Sequence, residues 1–363
     1  MTKDTPLIEI HRNLNARIVE FAGYNMPLEY SGVINEHNAV RNKAGLFDVS
    51  HMGEFFITGD GALPLLEYTT TNNVRLLKNG EAQYSCLPNG NGGIVDDLII
   101  YRVEENRFML VVNAANIEKD WKWLQSQNSF GASMDNASDR YAMIALQGPE
   151  AHDILQSVTN TSLGAIKSFS FVSGEIGKAK DVIISATGYT GAGGFELYCQ
   201  NKDAVYLWNI LMESGEASGL TPAGLAARDT LRLEMGYSLY GNDIDDSTSP
   251  IEANLSWIVK FNGDRDFIDR TVLEQQKKNG VSRKLVGFEM LERGIPRKDY
   301  LLLDDASHEI GRVTSGTMSP VLQQGIGMGY VESARSAAGN EIFVQIRNKT
   351  IKARIVKLPF IKN

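Results

Sequence analysis

Residues 94–113 read IVDDLIIYRVEENRFMLVVN, two apolar runs separated by a short polar turn. The runs, Ile94 to Val103 and Arg107 to Asn113, are rich in the β-branched, aromatic and aliphatic side chains that favour strands. The turn between them is short enough for the two strands to pair as an antiparallel hairpin. This stretch therefore predicts a β-sheet in the first third of the chain.

The segments outside this hairpin alternate between strand and helix patterns. Further strands are predicted at 53–57, 84–86, 142–147, 169–172, 181–187 and 195–199. Helices are predicted at 33–43, 117–127, 149–158, 203–214 and 223–235, with Ser31 as the cap of the first helix. This region therefore mixes helices and strands.

The character of the chain changes near residue 280. A polar helix near 269–279 ends at Gly280, and only short β runs separated by turn residues follow. These runs lie at 284–290, 309–314, 327–331, 341–346 and 351–358. Short strands at close spacing are typical of a small barrel or sandwich. We therefore predict two regions, 1–279 and 280–363.

The composition limits the possible partners and the compartment. The 363 residues carry 36 basic and 44 acidic side chains, a net charge of −8, which disfavours nucleic-acid binding. No apolar run approaches the ~18 residues that a membrane span needs. The start of the chain does not resemble a secretory signal. Cys86 and Cys199 are too far apart for a CxxC pair, which argues against a disulfide framework and favours the cytoplasm.

Two adjacent carboxylates, Asp96 and Asp97, interrupt the apolar strand of the opening hairpin. Because strand side chains alternate, the two acids face opposite ways, and Asp97 shares a face with Ile99 and Tyr101. Burying an unpaired carboxylate is costly, so one acid of the pair needs a partner, solvent or a ligand. Whether the pair is solvated near the turn or forms part of a site stays open at this point.

A third acid, Glu196, lies between apolar residues just after the glycine-rich run 188–194. A carboxylate there can accept two parallel N–H donors from a planar heterocycle, or it can lie exposed on an edge strand. The run itself is a flexible turn without the GKS or GKT of a phosphate-binding loop. The glycines of 325–329 are an equally weak dinucleotide signal, because no βαβ unit surrounds them.

The predicted helix 223–235 places Arg228 and Arg232 four residues apart, on one face. Alanine and leucine flank Arg228, so its guanidinium is expected to be partly buried and to need an anionic partner. An internal salt bridge and a ligand contact are both compatible with the pattern.

The histidines show no metal-ligand spacing, so no metal site is expected. They lie at His11, His37, His51, His152 and His308. The run Asp48-Val-Ser-His51 superficially suggests a hydrolytic triad. Without a GxSxG elbow it does not indicate Ser-His hydrolysis.

Several phrases along the chain follow one order, that of the aminomethyltransferase (T-protein) family of the glycine cleavage system. They are Phe21-Ala-Gly-Tyr-Asn-Met-Pro-Leu, Ala44-Gly-Leu-Phe-Asp-Val-Ser-His-Met-Gly-Glu, Gly92-Gly-Ile-Val-Asp-Asp-Leu, Leu146-Gln-Gly-Pro, Gly188-Tyr-Thr-Gly, Ala226-Ala-Arg-Asp-Thr-Leu-Arg-Leu-Glu, Leu239-Tyr-Gly-Asn-Asp-Ile, Val313-Thr-Ser-Gly-Thr-Met-Ser-Pro and Leu358-Pro-Phe. The chain resembles this family nearly end to end.

The resemblance implies a three-lobed fold around a cavity, with two interleaved α+β lobes and a C-terminal antiparallel β-barrel. It also implies transfer of a methylene group from the aminomethyl-lipoyl arm of the H-protein to the co-substrate tetrahydrofolate. The products are 5,10-methylenetetrahydrofolate, ammonia and dihydrolipoyl H-protein. The implied partners are therefore tetrahydrofolate and the lipoylated H-protein.

The resemblance also assigns residues to roles. Asp97 matches the catalytic aspartate, Glu196 the acid that binds the pterin ring, and Arg228 the arginine near the glutamyl carboxylate of folate. The positions that line the family's folate pocket correspond to Tyr84, Tyr101, Val111, Asn113, Tyr189, Met52 and Tyr240.

One departure and three alternatives accompany the resemblance. Ala192 and Gly193 stand where the family usually has Glu-Asp, which changes the charge of the turn. A folate-dependent demethylase would usually carry a flavin domain, for which this chain has no room. An RNA-modification-linked relative would carry a cysteine motif that is missing here. A folate-binding scaffold would need Glu196 and Arg228, but not Asp97.

Overall fold

A computed structural model describes residues 2–362 of the chain. Its strands are β1 (Lys3–Asp4), β2 (Arg17–Phe21), β3 (Tyr24–Glu29), β4 (Gly45–Asp48), β5 (Gly53–Thr58), β6 (Glu81–Pro88), β7 (Ile94–Glu104), β8 (Arg107–Val112), β9 (Ser133–Asn136), β10 (Tyr141–Gln147), β11 (Phe171–Ile176), β12 (Ala179–Ser185), β13 (Gly194–Gln200), β14 (Thr221–Pro222), β15 (Arg283–Met290), β16 (Leu301–Leu303), β17 (Glu309–Ser319), β18 (Gln324–Glu332), β19 (Glu341–Ile346) and β20 (Lys349–Val356). Its helices are α1 (Ile8–Asn13), α2 (Val33–Asn42), α3 (Ala62–Thr69), α4 (Ile117–Gln127), α5 (Ala151–Gln156), α6 (Asn201–Gly215), α7 (Leu225–Glu234) and α8 (Arg270–Asn279).

The chain forms two compact units that alternate along the sequence. Unit 1 comprises the chain up to Leu66, Val74–Tyr84 and Leu98–Asp229. Unit 2 comprises Glu67–Asn73, Ser85–Asp97 and the chain from Thr230 onward. Strands β6 and β7 and helices α3 and α7 therefore begin in one unit and end in the other.

The larger sheet of unit 1 has the strand order β11-β12-β13-β10-β4-β14. Its central strand β10 pairs antiparallel with β13 on one side and with β4 on the other. Apolar side chains of α5 and α6, such as Leu155 and Trp208, join Ile144 and Leu197 of this sheet in one buried core. Packing against this core makes the sheet a rigid platform for the residues of β13.

A second sheet in the order β6-β7-β8-β5-β9 contains the hairpin predicted from residues 94–113. Its two strands are β7 and β8, which confirms that prediction. Within unit 1, Val111 of β8 lies opposite Ile99 of β7 and opposite Glu54 of β5. Directly opposed residues point to the same face of a sheet, so these three side chains form one cross-strand row.

Unit 2 contains a closed barrel in the order β15-β18-β17-β16-β19-β20, with antiparallel pairing throughout. Its core includes Phe288, Leu302, Val313 and Ile342. The structure thus confirms an α+β fold with a C-terminal antiparallel barrel, and it decides for a barrel over a sandwich. The sequence pattern missed β16, because its 3 residues are too few to show alternation.

The start of α2 differs from the prediction. The N-cap residue is Gly32, and no side chain caps the helix from that position. Instead, Glu36 in the first turn of α2 accepts the backbone N–H groups of Tyr30, Ser31 and Gly32 through Oε1. Ser31 is therefore held by the helix rather than capping it. None of the helices within residues 2–362 is long and apolar enough to cross a membrane.

Candidate functional site

Glu196 lies in the middle of β13, where its strand neighbours Phe195 and Leu197 are buried in the core. The carboxylate is only 4% exposed, so the edge-strand alternative is wrong. Burial raises the pKa of Glu196, while a hydrogen bond from the Thr187 hydroxyl and the positive charge of Arg228 oppose this rise. The site thus keeps an acceptor-rich acid in a largely dry environment.

Tyr101, which was predicted to line a folate pocket, is fully buried. Its Oη atom lies 2.9 Å from Tyr198 Oη and 3.2 Å from Thr187 Oγ1. Burial is the main cause that raises the pKa of Tyr101, and the charge of Glu196 adds to it. Its hydroxyl therefore supports Glu196 from within unit 1.

Arg228 on α7 stacks on an aromatic ring. Its guanidinium carbon lies 4.7 Å from the centre of the Tyr189 ring. Burial lowers the pKa of Arg228, and the charge of Glu196 opposes this. Among the salt bridges of residues 2–362, none involves Arg228. The internal salt bridge that the sequence left open is thus not formed within this part of the chain.

The loop that carries Tyr189 is held by hydrogen bonds to residues distant in the sequence, which corrects the prediction of a flexible turn. Thr190 Oγ1 donates to Gln147 Oε1 at 2.8 Å, and Arg41 Nη1 donates to the carbonyl of Thr190 at 2.6 Å. A Cβ atom on Gly188 would lie 2.0 Å from Gln147 Oε1. Gly193, at a φ of +77°, has the left-handed backbone that glycine favours over the family's usual acid.

The remaining predicted pocket residues of unit 1 are Met52, Tyr84, Val111 and Asn113. Met52 is half-buried in the turn between β4 and β5, and its N–H donates to the Val49 carbonyl at 3.1 Å. Tyr84 and Asn113 are also half-buried, and Val111 is almost fully buried. Tyr84 lies within β6 and Val111 within β8, while Met52 directly precedes β5 and Asn113 directly follows β8.

Sequence reasoning missed a buried acid, Glu54, on β5. Both of its carboxylate oxygens lack a hydrogen-bond partner among residues 2–362, and the side chain is fully buried. Burial alone raises its pKa well above the ordinary value. The only signal in the sequence was an acid within the predicted strand 53–57, which is indistinguishable from an ordinary solvent-facing position.

The Asp48–His51 triad does not form. Asp48 Oδ2 lies 2.8 Å from His11 Nε2 and accepts the Thr5 hydroxyl at 2.6 Å. His51 instead packs edge-on against Phe21 with ring centres 5.6 Å apart. Burial and the charge of Arg228 lower the pKa of His51 to about 4, so its imidazole is neutral at neutral pH.

Unit 2 holds Asp97 and the start of β7. Asp96 is fully buried and Asp97 is half-buried, as expected for neighbours that face opposite ways. The Tyr240 hydroxyl donates to the Ile94 carbonyl at 2.9 Å, so this predicted pocket residue holds the strand that carries Asp97.

The turn before β7 is held by hydrogen bonds to residues distant in the sequence. Asn89 Nδ2 donates to the Asp246 carbonyl, and the Gly90 N–H donates to Asp269 Oδ2, both at 2.8 Å. A Cβ atom on Gly93 would lie 1.9 Å from the Asp246 carbonyl oxygen. These contacts fix the position at which β7 begins, three residues before Asp97.

Arg232, four residues after Arg228, is held by hydrogen bonds and an ion pair within unit 2. It is 1% exposed, and its Nη1 atom lies 2.7 Å from Asp243 Oδ2. It also donates to Ser315 Oγ and to the Tyr237 carbonyl. Within residues 2–362, no group of three or more His, Cys, Asp or Glu side chains could hold a metal ion.

Comparison with known proteins defines the class first. Residues 7–263 match the family model described as the GCVT N-terminal domain, and residues 283–362 match the glycine cleavage T-protein C-terminal barrel domain. The crystal structure of the glycine cleavage system aminomethyltransferase T from Bartonella henselae superposes with a TM-score of 0.93 at 36% identity. That match covers 99% of this chain and 98% of that chain.

Full-length relatives agree with this class. The aminomethyltransferase of Flavobacterium psychrophilum is 55% identical over 360 residues, 99% of both chains. The aminomethyltransferase of Phocaeicola vulgatus is also 55% identical, over 99% of this chain and 100% of the relative. The chain belongs to the glycine cleavage T-protein family, and its activity is that of an aminomethyltransferase.

Proposed function

We propose that the enzyme transfers the methylene group of an aminomethylated, lipoyl-bearing H-protein to tetrahydrofolate. The products are 5,10-methylenetetrahydrofolate, ammonia and dihydrolipoyl H-protein. The observation that carries this proposal is the pair formed by the buried acid Glu196 and the stacked Arg228, which has no salt bridge within residues 2–362.

Glu196 suits the pterin ring of folate. The ring N–H and the exocyclic amino group of a pterin are coplanar donors, and a carboxylate accepts two such donors side by side. Hydrogen bonds to a charged acceptor in a dry site are worth about 1.5–3 kcal/mol. Because the Thr187 hydrogen bond already orients the carboxylate, little further ordering is needed when the ring binds.

Arg228 suits the anionic end of folate. A guanidinium binds a carboxylate through two parallel N–H donors. Stacking on Tyr189 holds its plane, and the pinned loop 188–194 holds Tyr189. The remaining proposed contacts are Met52, Tyr84, Val111, Asn113 and Tyr189, with Tyr101 and Tyr240 acting through the hydrogen bonds described above.

Asp97 is proposed as the catalytic residue. During transfer, N5 of the folate attacks the methylene carbon while ammonia leaves, and positive charge develops on N5. N10 then closes the ring at the same carbon while the C–S bond breaks. The protons lost from N5 and N10 end on ammonia and on the thiol of the dihydrolipoyl arm. A fixed carboxylate can stabilise the charge on N5 and can take or relay a proton. Holding both substrates in one site adds the advantage of proximity. No step requires a metal ion, and we propose that the enzyme works without one, in the cytoplasm.

The test is an assay with aminomethylated H-protein and tetrahydrofolate, in which ammonia and 5,10-methylenetetrahydrofolate are measured together. Both products should appear in equal amounts, and EDTA should not reduce the rate. Ammonia release without methylenetetrahydrofolate would show that tetrahydrofolate is not the acceptor. Folate binding without turnover would favour the scaffold alternative.

A further inference from the structure

A chain of buried hydroxyl groups lies behind the Glu196 carboxylate. Ser185 of β12 stands directly opposite Glu196 in the β12–β13 register, and Thr187 lies two residues further along. Thr187 Oγ1 donates to Glu196 Oε2. Ser185 Oγ and Tyr101 Oη lie 2.9 and 3.2 Å from Thr187 Oγ1, and Tyr198 Oη lies 2.9 Å from Tyr101 Oη.

Counting protons fixes the hydrogen bond at the front of this chain. A hydroxyl has one proton to donate, and an ionised carboxylate can only accept. Because Thr187 donates its proton to Glu196, its oxygen can act only as an acceptor toward the hydroxyls of Ser185 and Tyr101. Ser185 has one proton for Thr187 or, at 3.4 Å, for Tyr101, and Tyr101 has one proton for Thr187 or for Tyr198. In each of these arrangements the Thr187 proton points toward Glu196.

We propose that Thr187, supported by Tyr101 and Tyr198, is a positioning residue that keeps Glu196 an oriented hydrogen-bond acceptor for the pterin ring. Oε2 accepts one hydrogen bond from Thr187, which leaves its second lone pair and Oε1 for the two pterin donors. The inference rests on the proposed function, in which Glu196 binds the pterin. It adds a residue that acts through Glu196 without touching the substrate.

The charged and titratable groups around Glu196 set the sign of a pH effect. Arg228 faces it from α7 and Tyr101 from β7, while Tyr198 on its own strand is also influenced by Glu54 of β5. Burial raises the pKa of Glu196, and the Thr187 hydrogen bond is the larger of the two influences that lower it. Losing that bond should raise the pKa, so that binding of the pterin is lost at a higher pH.

The experiment measures the dissociation constant of tetrahydrofolate by calorimetry across an acidic-to-neutral pH series. Thr187→Val keeps the shape of the side chain and removes the hydroxyl. It should weaken binding roughly tenfold or more at neutral pH. It should also move the acidic loss of affinity to higher pH. Thr187→Ser should restore both properties. Tyr198→Phe, which removes the last hydroxyl of the chain, should shift the profile in the same direction by less.

A double-mutant cycle separates this role from a structural one. In a Glu196→Gln background, Thr187→Val should cause no further pH shift, because the titrating group is gone. Thr159→Val is the matched control. It removes a buried threonine hydroxyl that donates to the Glu175 carbonyl instead, so it should lower the melting temperature without moving the pH profile.

A failure of the proposed function and a failure of the positioning role of Thr187 give different results. If Glu196→Gln binds tetrahydrofolate as tightly as wild type, the pterin assignment in the proposed function is wrong. If Glu196→Gln weakens binding but Thr187→Val and Tyr198→Phe leave the pH profile unchanged, the positioning role of Thr187 is wrong.

Discussion

Buried acids of unit 1 differ in how their charge is satisfied. Glu36 is fully buried, and its two oxygens accept four backbone N–H groups, the fourth from Gly224 at 2.9 Å. Glu196 has Thr187 and the charge of Arg228. Glu54 has no hydrogen-bond partner among residues 2–362. Local sequence patterns did not distinguish these cases, because whether a donor reaches an acid depends on the backbone geometry and on residues distant in the sequence, such as Gly224 for Glu36.

Glu54, whose oxygens lack a hydrogen-bond partner among residues 2–362, makes the free energy of unfolding depend on pH. Because the folded-state pKa of Glu54 lies above its unfolded value, the folded protein holds a proton that the unfolded chain releases. Its contribution to stability is therefore lost as pH rises above the ordinary value for glutamate, by up to about 1.4 kcal/mol per pH unit. Glu54→Gln should flatten this slope in urea unfolding at a series of pH values.

The matched control is Glu36→Gln, which replaces an acid with satisfied oxygens. It should lower the free energy of unfolding at neutral pH, since an amide leaves some of the N–H donors weakly bonded. If Glu54→Gln and wild type show the same slope, Glu54 is ionised or hydrated in the folded protein.

Asp97 and Asp96 form a second contrast between neighbouring residues. Asp97→Asn should lower turnover by ~10²-fold or more, the scale of a positioned acid–base group. Binding of tetrahydrofolate should change much less. Asp96→Asn, on the opposite face of β7, should have the milder effect on turnover per folded molecule. Equal losses of turnover in the two variants would contradict the alternation argument.

At the scale of elements, α7 carries two arginines with different partners, the Tyr189 ring for Arg228 and the Asp243 carboxylate for Arg232. The sequence predicted the helix and the shared face of Arg228 and Arg232, but it could not tell which arginine has a partner. The structure decides this, because Asp243, eleven residues after Arg232, supplies the carboxylate that pairs with it. A four-residue spacing identifies a face of a helix, whereas the partner depends on the tertiary fold.

The two arginines predict opposite results for the same substitution. Arg228→Lys should weaken tetrahydrofolate binding, because an ammonium lacks the planar fork, and should change the melting temperature little. The penalty should shrink for an analogue without the glutamyl group. Arg232→Lys should cost about 1–3 kcal/mol of unfolding free energy through its unmet buried hydrogen bonds.

These outcomes can be read from two dissociation constants and one melting curve per variant. If Arg228→Lys loses the same factor for the intact and the truncated folate, Arg228 does not hold the tail. A normal melting temperature for Arg232→Lys would show that Asp243 and Ser315 accept an ammonium equally well.

At the scale of the whole molecule, the linear order of the sequence does not show how the chain divides into its two units. The composition changes near residue 280, and the barrel strands begin at Arg283. Yet unit 2 already includes Glu67–Asn73, Ser85–Asp97 and everything from Thr230. The segments of unit 2 that precede residue 280 show no change of composition. The sequence could therefore predict the barrel but not the earlier segments that belong to the same unit. The boundary between 1–279 and 280–363 remains a prediction.

A truncation tests that boundary. Within unit 2, the barrel supplies Ser315 to Arg232, Ser319 to Glu234 and the Tyr330 hydroxyl to the Asp243 carbonyl. A fragment of residues 1–279 loses all three contacts with their buried partners left behind. It should therefore aggregate or show no cooperative unfolding by circular dichroism. A soluble fragment with a cooperative transition would establish 1–279 as an independent domain.

The close contact between the turn before β7 and Asp246 has a consequence for natural variation. Gly93 is required by space, because the Asp246 carbonyl oxygen occupies the position of a side chain. Gly90, at a φ of +86° with nothing near its Cβ position, is required only by backbone angle. Asparagine or aspartate tolerates that angle, whereas no side chain fits at Gly93. Natural selection should therefore remove amino-acid substitutions at position 93 but tolerate asparagine or aspartate at position 90.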